Sequence, residues 1–219
     1  MMKGSVFCAV TIDGFIATTD GDVSFLNEFG PPAPADESTT EQEQEQQQKS
    51  PEEDPYSFEN FLASVDVIIM GRKTFEKVLS FGRDMWAYGS TRLVVWTTQG
   101  SAYAIPDQLQ ESVSCSNLSP TALWDDLQNQ GYEHAYIDGG ATIAAFCEAD
   151  LIEDWILTRV PLVLGQGIPL FSPTSTRRLR LNHVHTQSAS TGLVTSHYRS
   201  RREGGQPGNT EEGQANQQK

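Results

Sequence analysis

Short apolar runs rich in β-branched side chains recur along the chain, and each predicts a buried strand. The first run contains Val6, Val10 and Ile12, and the run around Ile137 stops abruptly at two glycines. The predicted strands cover residues 5–12, 65–70, 92–97, 135–138 and 152–160, with a terminal hairpin at 178–186 and 191–199.

Between these strands the apolar residues follow helical spacing, as at Phe58, Phe61 and Leu62. The helices are predicted at residues 56–62, from residue 72 onward, at 119–130 and at 141–149. Strands that alternate with helices pair in parallel through right-handed crossovers. The pattern therefore predicts an α/β fold with a mostly parallel central sheet flanked by helices and the C-terminal hairpin at an antiparallel edge.

Two segments lack apolar residues to bury. Residues 31–55 are rich in Pro, Glu and Gln, and the tail at 201–219 is polar and rich in Gly and Gln. Such compositions favour disorder. We therefore predict one domain over residues 1–200 that carries a disordered acidic insertion, followed by a disordered tail.

The net charge of −14 argues against a nucleic acid or an anionic membrane surface as a partner. Much of this charge lies in the insertion, which has eight acidic residues between Asp36 and Asp54. The three cysteines are widely spaced and form no Cys-x-x-Cys pattern, which favours a reducing compartment. The first apolar run is too short for a secretory signal or a membrane span. These features predict a cytoplasmic protein.

Residues that can hold an anion stand at three predicted strand ends. Gly139-Gly140 opens a helix, Arg72 and Lys73 precede Thr74 at another helix start, and Thr97-Thr98 closes a third strand. Glycines admit a ligand close to the backbone, and helix N-termini present free N–H groups. Each feature alone has an ordinary structural explanation: a tight turn, a solvated basic pair or common strand residues.

Together these strand ends point to a dinucleotide, because ligands in open α/β sheets bind at the carboxyl ends of the strands. The cations and hydroxyls exceed what a plain pyrophosphate needs, which favours the extra 2′-phosphate of NADPH. A Rossmann Gly-x-Gly-x-x-Gly motif and a Walker A motif are both absent from the sequence. An ordinary dehydrogenase and a nucleotide triphosphatase are therefore disfavoured.

His183 and His185 raise the question of a metal, since they alternate onto one predicted strand face. The hairpin register expected from a loop at 188–191 places His197 opposite Asn182, on the other face. No carboxylate or Cys stands at matching spacing. We predict no metal site.

Six motifs carry a resemblance to a known family, and they span nearly all of the chain outside the insertion and tail. They are Thr11–Ala17, Val67–Glu76, Trp86–Gly89, Asp138–Ile143, Leu151–Asp154 and Pro161–Phe171. As a set they resemble the dihydrofolate reductase-like proteins, and within them the C-terminal reductase domain of the bifunctional riboflavin-biosynthesis enzyme.

The resemblance implies an NADPH-dependent reductase and assigns residues to its sites. The nicotinamide would lie near Ala9 and Ile16. The adenosine phosphates would lie on Gly71, Arg72, Lys73, Thr74, Thr97 and Thr98. The pyrophosphate region would be formed by Asp138, Gly139, Gly140, Ala141, Thr142 and Ile143. The substrate would be held by Asp22, Ser24, Phe25, Leu164 and Gly165.

The resulting hypothesis is hydride transfer from NADPH to a C=N or C=O carbon of a small heterocycle, with Asp13, or a water that it orients, delivering the proton. Asp13 can equally be a structural turn carboxylate. The riboflavin-type substrate is a phosphoribosylaminouracil. Dihydrofolate reductases carry an acidic residue after the first loop, where this chain has Asp22–Leu26 and then the insertion, so pterin reduction is only an alternative.

A second alternative is a nucleotide-binding module of the same fold without turnover, in which the insertion binds a partner. The resembling branch also implies a homodimer.

Overall fold

A computed structural model describes residues 1–29, 55–82, 86–171 and 178–201. Almost all of the predicted insertion at 31–55 and of the tail at 201–219 lies outside the described residues. The single domain of residues 1–200 stays a prediction.

The main sheet has eight strands, and its order follows from five parallel and two antiparallel pairings. The strands of the chain are β1 (Lys3–Thr11), β2 (Phe15–Ala17), β3 (Val67–Gly71), β4 (Arg92–Trp96), β5 (Val113–Ser116), β6 (His134–Asp138), β7 (Asp154–Val160), β8 (Ile168–Pro169), β9 (Leu181–Ser188) and β10 (Val194–Ser200). Across the sheet the order is β5-β4-β3-β6-β1-β7-β10-β9. The predicted fold class, including the antiparallel hairpin at one edge, is confirmed.

Within the described residues, four α-helices cover the two faces of the sheet. They are α1 (Phe58–Ala63), α2 (Arg72–Ser80), α3 (Pro120–Asn129) and α4 (Gly140–Glu148). Helices α1 and α2 bury Phe61 and Phe75 on one face, while α3 and α4 bury Leu123 and Phe146 on the other. None of the helices in the described ranges is long and apolar enough to cross a membrane.

Strand β5 was not predicted from the sequence. Of its four residues only Val113 is fully buried, because β5 forms the sheet edge next to β4. A strand of four residues with two serines gives no apolar run. Its partner β4 has three fully buried residues and was predicted correctly.

A small two-stranded sheet lies outside the main one. Strand β2 pairs antiparallel with β8, so the segment after β7, predicted as a loop, contributes two residues of strand. Gly167 leaves the room for this approach, since a Cβ there would lie 2.3 Å from the Ala17 carbonyl oxygen. The pairing fixes the 162–171 segment against the turn that follows β1.

The hairpin register differs from the predicted one. His197 pairs with His185 and not with Asn182, because the first pair of the hairpin is Val194 with Ser188, so the loop lies at 189–193. A bulge between His197 and Tyr198 shifts the pairing beyond that point. The bulge also gives the two histidines of β9 different neighbours. The His185 ring stacks on Tyr56 with centroids 5.1 Å apart, and the His183 ring meets Tyr198 edge-on.

The hairpin is tied to the rest of the sheet through one buried carboxylate. Asp154, 2% exposed, forms ion pairs with Lys3 and, at 3.0 Å, with Arg199, and its Oδ1 forms a hydrogen bond with His197 Nε2 at 2.9 Å. Burial raises the pKa of this carboxyl, but the hydrogen bonds from its three partners outweigh burial and hold the pKa below its usual value. Asp154 is therefore ionised at neutral pH and joins β1, β7 and β10.

Replacing this carboxylate should destabilise the fold strongly. We expect Asp154→Asn to lower the free energy of unfolding at pH 7 by about 2 kcal/mol, because the buried carboxylate that Lys3, His197 and Arg199 all contact loses its charge and the charge-assisted hydrogen bonds. Urea denaturation measures the change. Asp125→Asn, on the exposed side of α3, is the control and should cost under about 0.5 kcal/mol. A loss of less than about 1 kcal/mol for Asp154→Asn would contradict this account.

Candidate functional site

A cleft of about 420 Å³ opens at the carboxyl ends of β3, β4 and β6, where the sequence predicted a dinucleotide. The structure brings together ten of the predicted cofactor residues and adds three that were not predicted. The lining residues are Gly71, Arg72, Lys73, Thr74, Trp96, Thr97, Thr98, Asn117, Gly139, Gly140, Ala141, Thr142 and Ile168.

Helix α4 begins directly beneath this cleft. Its N-cap residue Gly139 has φ 88° and ψ 134°, a backbone conformation that side-chain-bearing residues rarely adopt. The first intrahelical bond runs from the Ile143 N–H to the Gly139 carbonyl. The N–H groups of Gly140, Ala141 and Thr142 precede that bond and have no intrahelical partner, so they can donate to an anion.

Helix α2 begins beside α4, and the two helix starts fit together through glycines. A Cβ at Gly71 would lie 2.9 Å from the Thr142 hydroxyl oxygen, and a Cβ at Gly139 would lie 2.2 Å from the Thr74 hydroxyl oxygen. Each glycine therefore makes room for the threonine of the neighbouring helix. Because β3 and β6 are parallel neighbours, two positive helix ends point into one cleft.

The hydroxyl of Thr142 lacks a partner. This residue is 1% exposed, and its Oγ1 makes no hydrogen bond within the described part of the chain. A buried hydroxyl without a partner loses stability relative to one that is bonded. Its position in the cleft lining makes this hydroxyl a candidate donor to a ligand.

The two predicted cations differ in their surroundings. The Nη1 of Arg72 donates to both carboxylate oxygens of Glu76, at 2.7 and 2.9 Å. Lys73 is exposed at the rim of the cleft. Glu76 was not predicted as part of the site, although its spacing of four residues from Arg72 on a helix could have indicated the pair.

The third strand end adds two residues that the sequence interpretation missed. Trp96 donates from its indole N–H to the Leu118 carbonyl at 2.8 Å and presents its ring to the cleft, and Asn117 follows β5. Because β5 was not recognised, nothing indicated that Asn117 would lie beside β4. The Thr97 hydroxyl accepts the Gln99 N–H at 3.3 Å, whereas Thr98 is exposed.

Asp13, predicted as the proton source, anchors a loop. Its carboxylate accepts hydrogen bonds from the Thr11 hydroxyl at 2.6 Å, the Gly165 N–H at 2.7 Å and the Leu164 N–H at 3.2 Å. The bond from Thr11 contributes most to holding the pKa of Asp13 below its usual value. An ionised Asp13 can orient a water but holds no proton to give, and this geometry fits the turn carboxylate left open above.

Asp138, at the end of β6, is an acid whose pKa is raised, in contrast to that of Asp13. Burial raises its pKa to about 6, against the lowering effect of hydrogen bonds from the Gly139 N–H, at 2.8 Å, and from the Tyr136 hydroxyl. Its charge in turn contributes to the raised pKa of the buried Tyr88 phenol. Asp138 precedes Gly139 of the cleft lining without lining the cleft itself, and a carboxyl that titrates near pH 6 can take up or release a proton.

Three other predicted cofactor positions lie outside the lining of the cleft. The Cδ1 of Ile16 lies 3.1 Å from where a Cβ would stand on Gly140, so Ile16 borders the start of α4. Ala9 lies in β1, next to β6, four residues past Ser5, the last residue of β1 that pairs with β6, and outside the lining of the cleft. Ile143 is buried in the core, and its N–H is already bonded to Gly139.

The predicted substrate residues of the first loop lie outside the lining of the cleft. The Asp22 carboxylate binds Lys77 at 3.0 Å and accepts the Ser24 N–H at 3.0 Å. Hydrogen bonds from Ser24 and Lys77 hold the pKa of Asp22 well below its usual value. Phe25 is partly buried in the short 3-10 helix Ser24–Phe29. Asp22 thereby joins this loop to α2.

Most of the chain matches the model of a known family. The model of the RibD C-terminal domain matches residues 3–195. The chain belongs to this family. The uncharacterized protein YwjB of Bacillus subtilis (strain 168) is 32% identical over 184 residues, which is 82% of this chain and 88% of YwjB. The uncharacterized protein YyaP of the same strain is 25% identical, covering 85% and 88% of the two chains.

Solved structures show the same architecture. A protein from Shewanella sp. PV-4, assigned provisionally to riboflavin biosynthesis, has a TM-score of 0.75 and 28% identity, with 92% of this chain and 100% of that chain covered. A bifunctional deaminase and 5-amino-6-(5-phosphoribosylamino)uracil reductase from Thermotoga maritima has a TM-score of 0.60 at 11% identity, with 91% and 57% covered. The second likeness concerns the fold alone.

The predicted resemblance is confirmed by these matches. Membership of the RibD C-terminal domain family supports a reductase, and therefore an oxidoreductase, as the class of this protein.

Proposed function

We propose that this RibD C-terminal domain protein is an NADPH-dependent reductase that transfers a hydride to a small heterocyclic substrate of the 5-amino-6-(5-phosphoribosylamino)uracil type. The observation that carries the cofactor proposal is the pair of helix starts at Gly71 and Gly139, with the unpartnered Thr142 hydroxyl between them. Two helix N-termini and a buried donor in one cleft suit a pyrophosphate.

The cleft fits the remainder of such a cofactor. NADPH supplies the hydride when bound. Its pyrophosphate would accept N–H groups at the start of α4, and the adenosine phosphates would meet Arg72, Lys73 and the Thr97-Thr98 strand end. The nicotinamide would lie past Gly140, toward Ile16 and Ala9. These assignments place the reacting end of the cofactor next to Asp138 and the loop that Asp13 anchors.

The protein's own part in the reaction is orientation and proton supply. We propose that ionised Asp13 holds the Leu164-Gly165 backbone in place at the substrate side of the sheet, and that Asp138 stores the proton transferred with the hydride. The support is the contrast in their surroundings. Asp13 accepts three hydrogen bonds that hold its pKa low, whereas burial raises the pKa of Asp138. In the same proposal, Asp22, Ser24 and Phe25 of the first loop hold the substrate.

The substrate class is proposed from the family and its neighbours. The Thermotoga maritima neighbour is described as a phosphoribosylaminouracil reductase, and the chain spans 57% of that two-activity protein. The cytoplasmic location and the homodimer stay predictions of the same proposal.

The deciding experiment is titration of the purified protein with NADPH and NADH, followed by quenching of tryptophan fluorescence. Trp96 lines the cleft and should report occupancy directly, and Trp96→Phe should remove most of that signal without abolishing binding. Tighter binding of NADPH, weakened by Arg72→Ala, supports the proposal. Binding of neither dinucleotide would refute it, while binding without oxidation by any pyrimidine or pterin would favour the module without turnover.

Thr142→Val separates ligand binding from stability. Valine keeps the volume of threonine but removes a buried hydroxyl that has no partner, so the free energy of unfolding should stay equal or rise by up to about 1 kcal/mol. The same change should weaken NADPH binding about tenfold, because the cofactor loses one hydrogen bond in a buried site. Denaturant unfolding and calorimetric titration measure the two effects. Unchanged cofactor affinity would show that the hydroxyl does not face the ligand.

A further inference from the structure

The Arg72 guanidinium stands at the rim of the cleft with part of its donor set already occupied. Its Nη1 binds both oxygens of the Glu76 carboxylate, and its Nε and Nη2 make no hydrogen bond within the described residues. Arg72 is the first residue of α2 and Glu76 lies one turn further on. The pair is partly exposed, with 36% and 43% of the two side chains accessible.

A third residue fixes this pair from a distant part of the chain. The Tyr103 hydroxyl donates to Glu76 Oε1 at 3.3 Å, and the Tyr103 ring packs edge-on against Phe75 in the core. Burial, and then the charge of Glu76, raise the pKa of the Tyr103 phenol, so it stays a donor at neutral pH. The carboxylate is thus held from two sides at the mouth of the cleft.

A carboxylate in this place opposes the binding of a phosphate monoester. A 2′-phosphate that approached Arg72 would find Nη1 occupied and a negative charge within one side-chain length. NADH carries no such phosphate, so the affinity for NADH should not depend on Glu76. The nearby Lys73 stays available in either case.

We propose that Glu76, held by Tyr103, is a specificity-determining residue that limits the preference for NADPH over NADH by partly neutralising Arg72. This inference rests on the proposed dinucleotide function and goes beyond it by naming the residue that sets the strength of 2′-phosphate recognition. Glu76 acts through Arg72 and is a positioning residue.

The test is the ratio of the two dissociation constants. Replacement of Glu76 by Gln should tighten NADPH binding about fivefold at low ionic strength, leave NADH binding unchanged within about twofold, and lose most of this gain in high salt, where exposed charges are screened. In an Arg72→Ala background the same replacement should bring a smaller gain, because only the direct repulsion between Glu76 and the phosphate is then relieved. Tyr103→Phe should change the ratio in the same direction but less.

Glu59→Gln is the matched control, since it removes one negative charge from α1, away from the cleft. It should leave the ratio unchanged. An unchanged or lower preference for NADPH in Glu76→Gln, while the wild type binds both dinucleotides, would overturn this inference and leave the proposed function standing. A wild type that binds neither dinucleotide would overturn both.

Discussion

Gly139→Ala is expected to abolish dinucleotide binding and to destabilise the fold by about 2–4 kcal/mol. The backbone at Gly139 has a φ of 88°, where any Cβ is strained, and the new methyl group would lie 2.2 Å from the Thr74 hydroxyl oxygen. Relief of this contact must move the start of α4 away from α2. The free N–H groups at that start would then no longer point into the cleft, and NADPH affinity should fall more than about a hundredfold.

The control for Gly139 is another glycine with the same strain but open surroundings. Gly131, with φ 93°, has nothing within 4 Å of the position a Cβ would take. Gly131→Ala should therefore cost about 1–2 kcal/mol of stability through backbone strain alone and leave cofactor affinity unchanged. Chemical denaturation and NADPH titration of both variants test the comparison. Equal losses of affinity in the two variants would show that the contact between the helix starts is irrelevant to binding.

The sequence predicted the interior of this fold well and its edges less well. Strands such as β3 and β6 are buried on both faces, so their apolar runs contain the necessary information. The edge strand β5 buries one face only in part, and four residues are too few to show a period. The register of the terminal hairpin was predicted wrongly because the loop lies between Ser188 and Val194 and not at 188–191, and the polar residues around the turn do not mark where the pairing begins.

The candidate site shows the same division between local and long-range information. The helix starts at Gly71 and Gly139 are visible as local motifs, and the structure brings them together because their strands are neighbours. Contacts between segments far apart in the sequence could not be predicted from local motifs. The Tyr103 hydroxyl reaches Glu76 across 27 positions of sequence, and Asp13 meets Gly165 across 152.

Asp13 follows β1 and Asp138 ends β6. These two acids show why residue type alone does not indicate which carboxyl can carry a proton. Asp13 follows the first strand and attracts attention as a lone carboxylate, yet three donors keep it ionised. Asp138 precedes a glycine pair and was assigned to cofactor binding, yet its environment is the one that favours a proton. The difference lies in burial and hydrogen bonding, which sequence spacing does not record.

The raised pKa of Asp138 gives the fold a pH dependence that can be measured without a substrate. Because a folded-state pKa of about 6 exceeds the ordinary 3.8, the folded protein binds more protons than the unfolded chain between these values. The contribution of this carboxyl to stability therefore falls as the pH rises from about 4 to 6, by roughly 3 kcal/mol in all. Asp154 and Asp13, with lowered pKa values, lose their contributions only below about pH 4.

Asp138→Asn should accordingly match the wild type in stability near pH 4 and exceed it at pH 7, while hydride transfer slows about a hundredfold. In the wild type the rate should decline as the pH rises through about 6, because the proton donor is lost, and this inflection should be missing from the variant. Denaturant unfolding across pH and single-turnover oxidation of bound NADPH measure the two properties. Asp13→Asn should retain the inflection near pH 6, since Asp13 does not titrate there. A wild-type profile without that inflection, or a stability difference that is constant from pH 4 to 7, would remove Asp138 from the reaction.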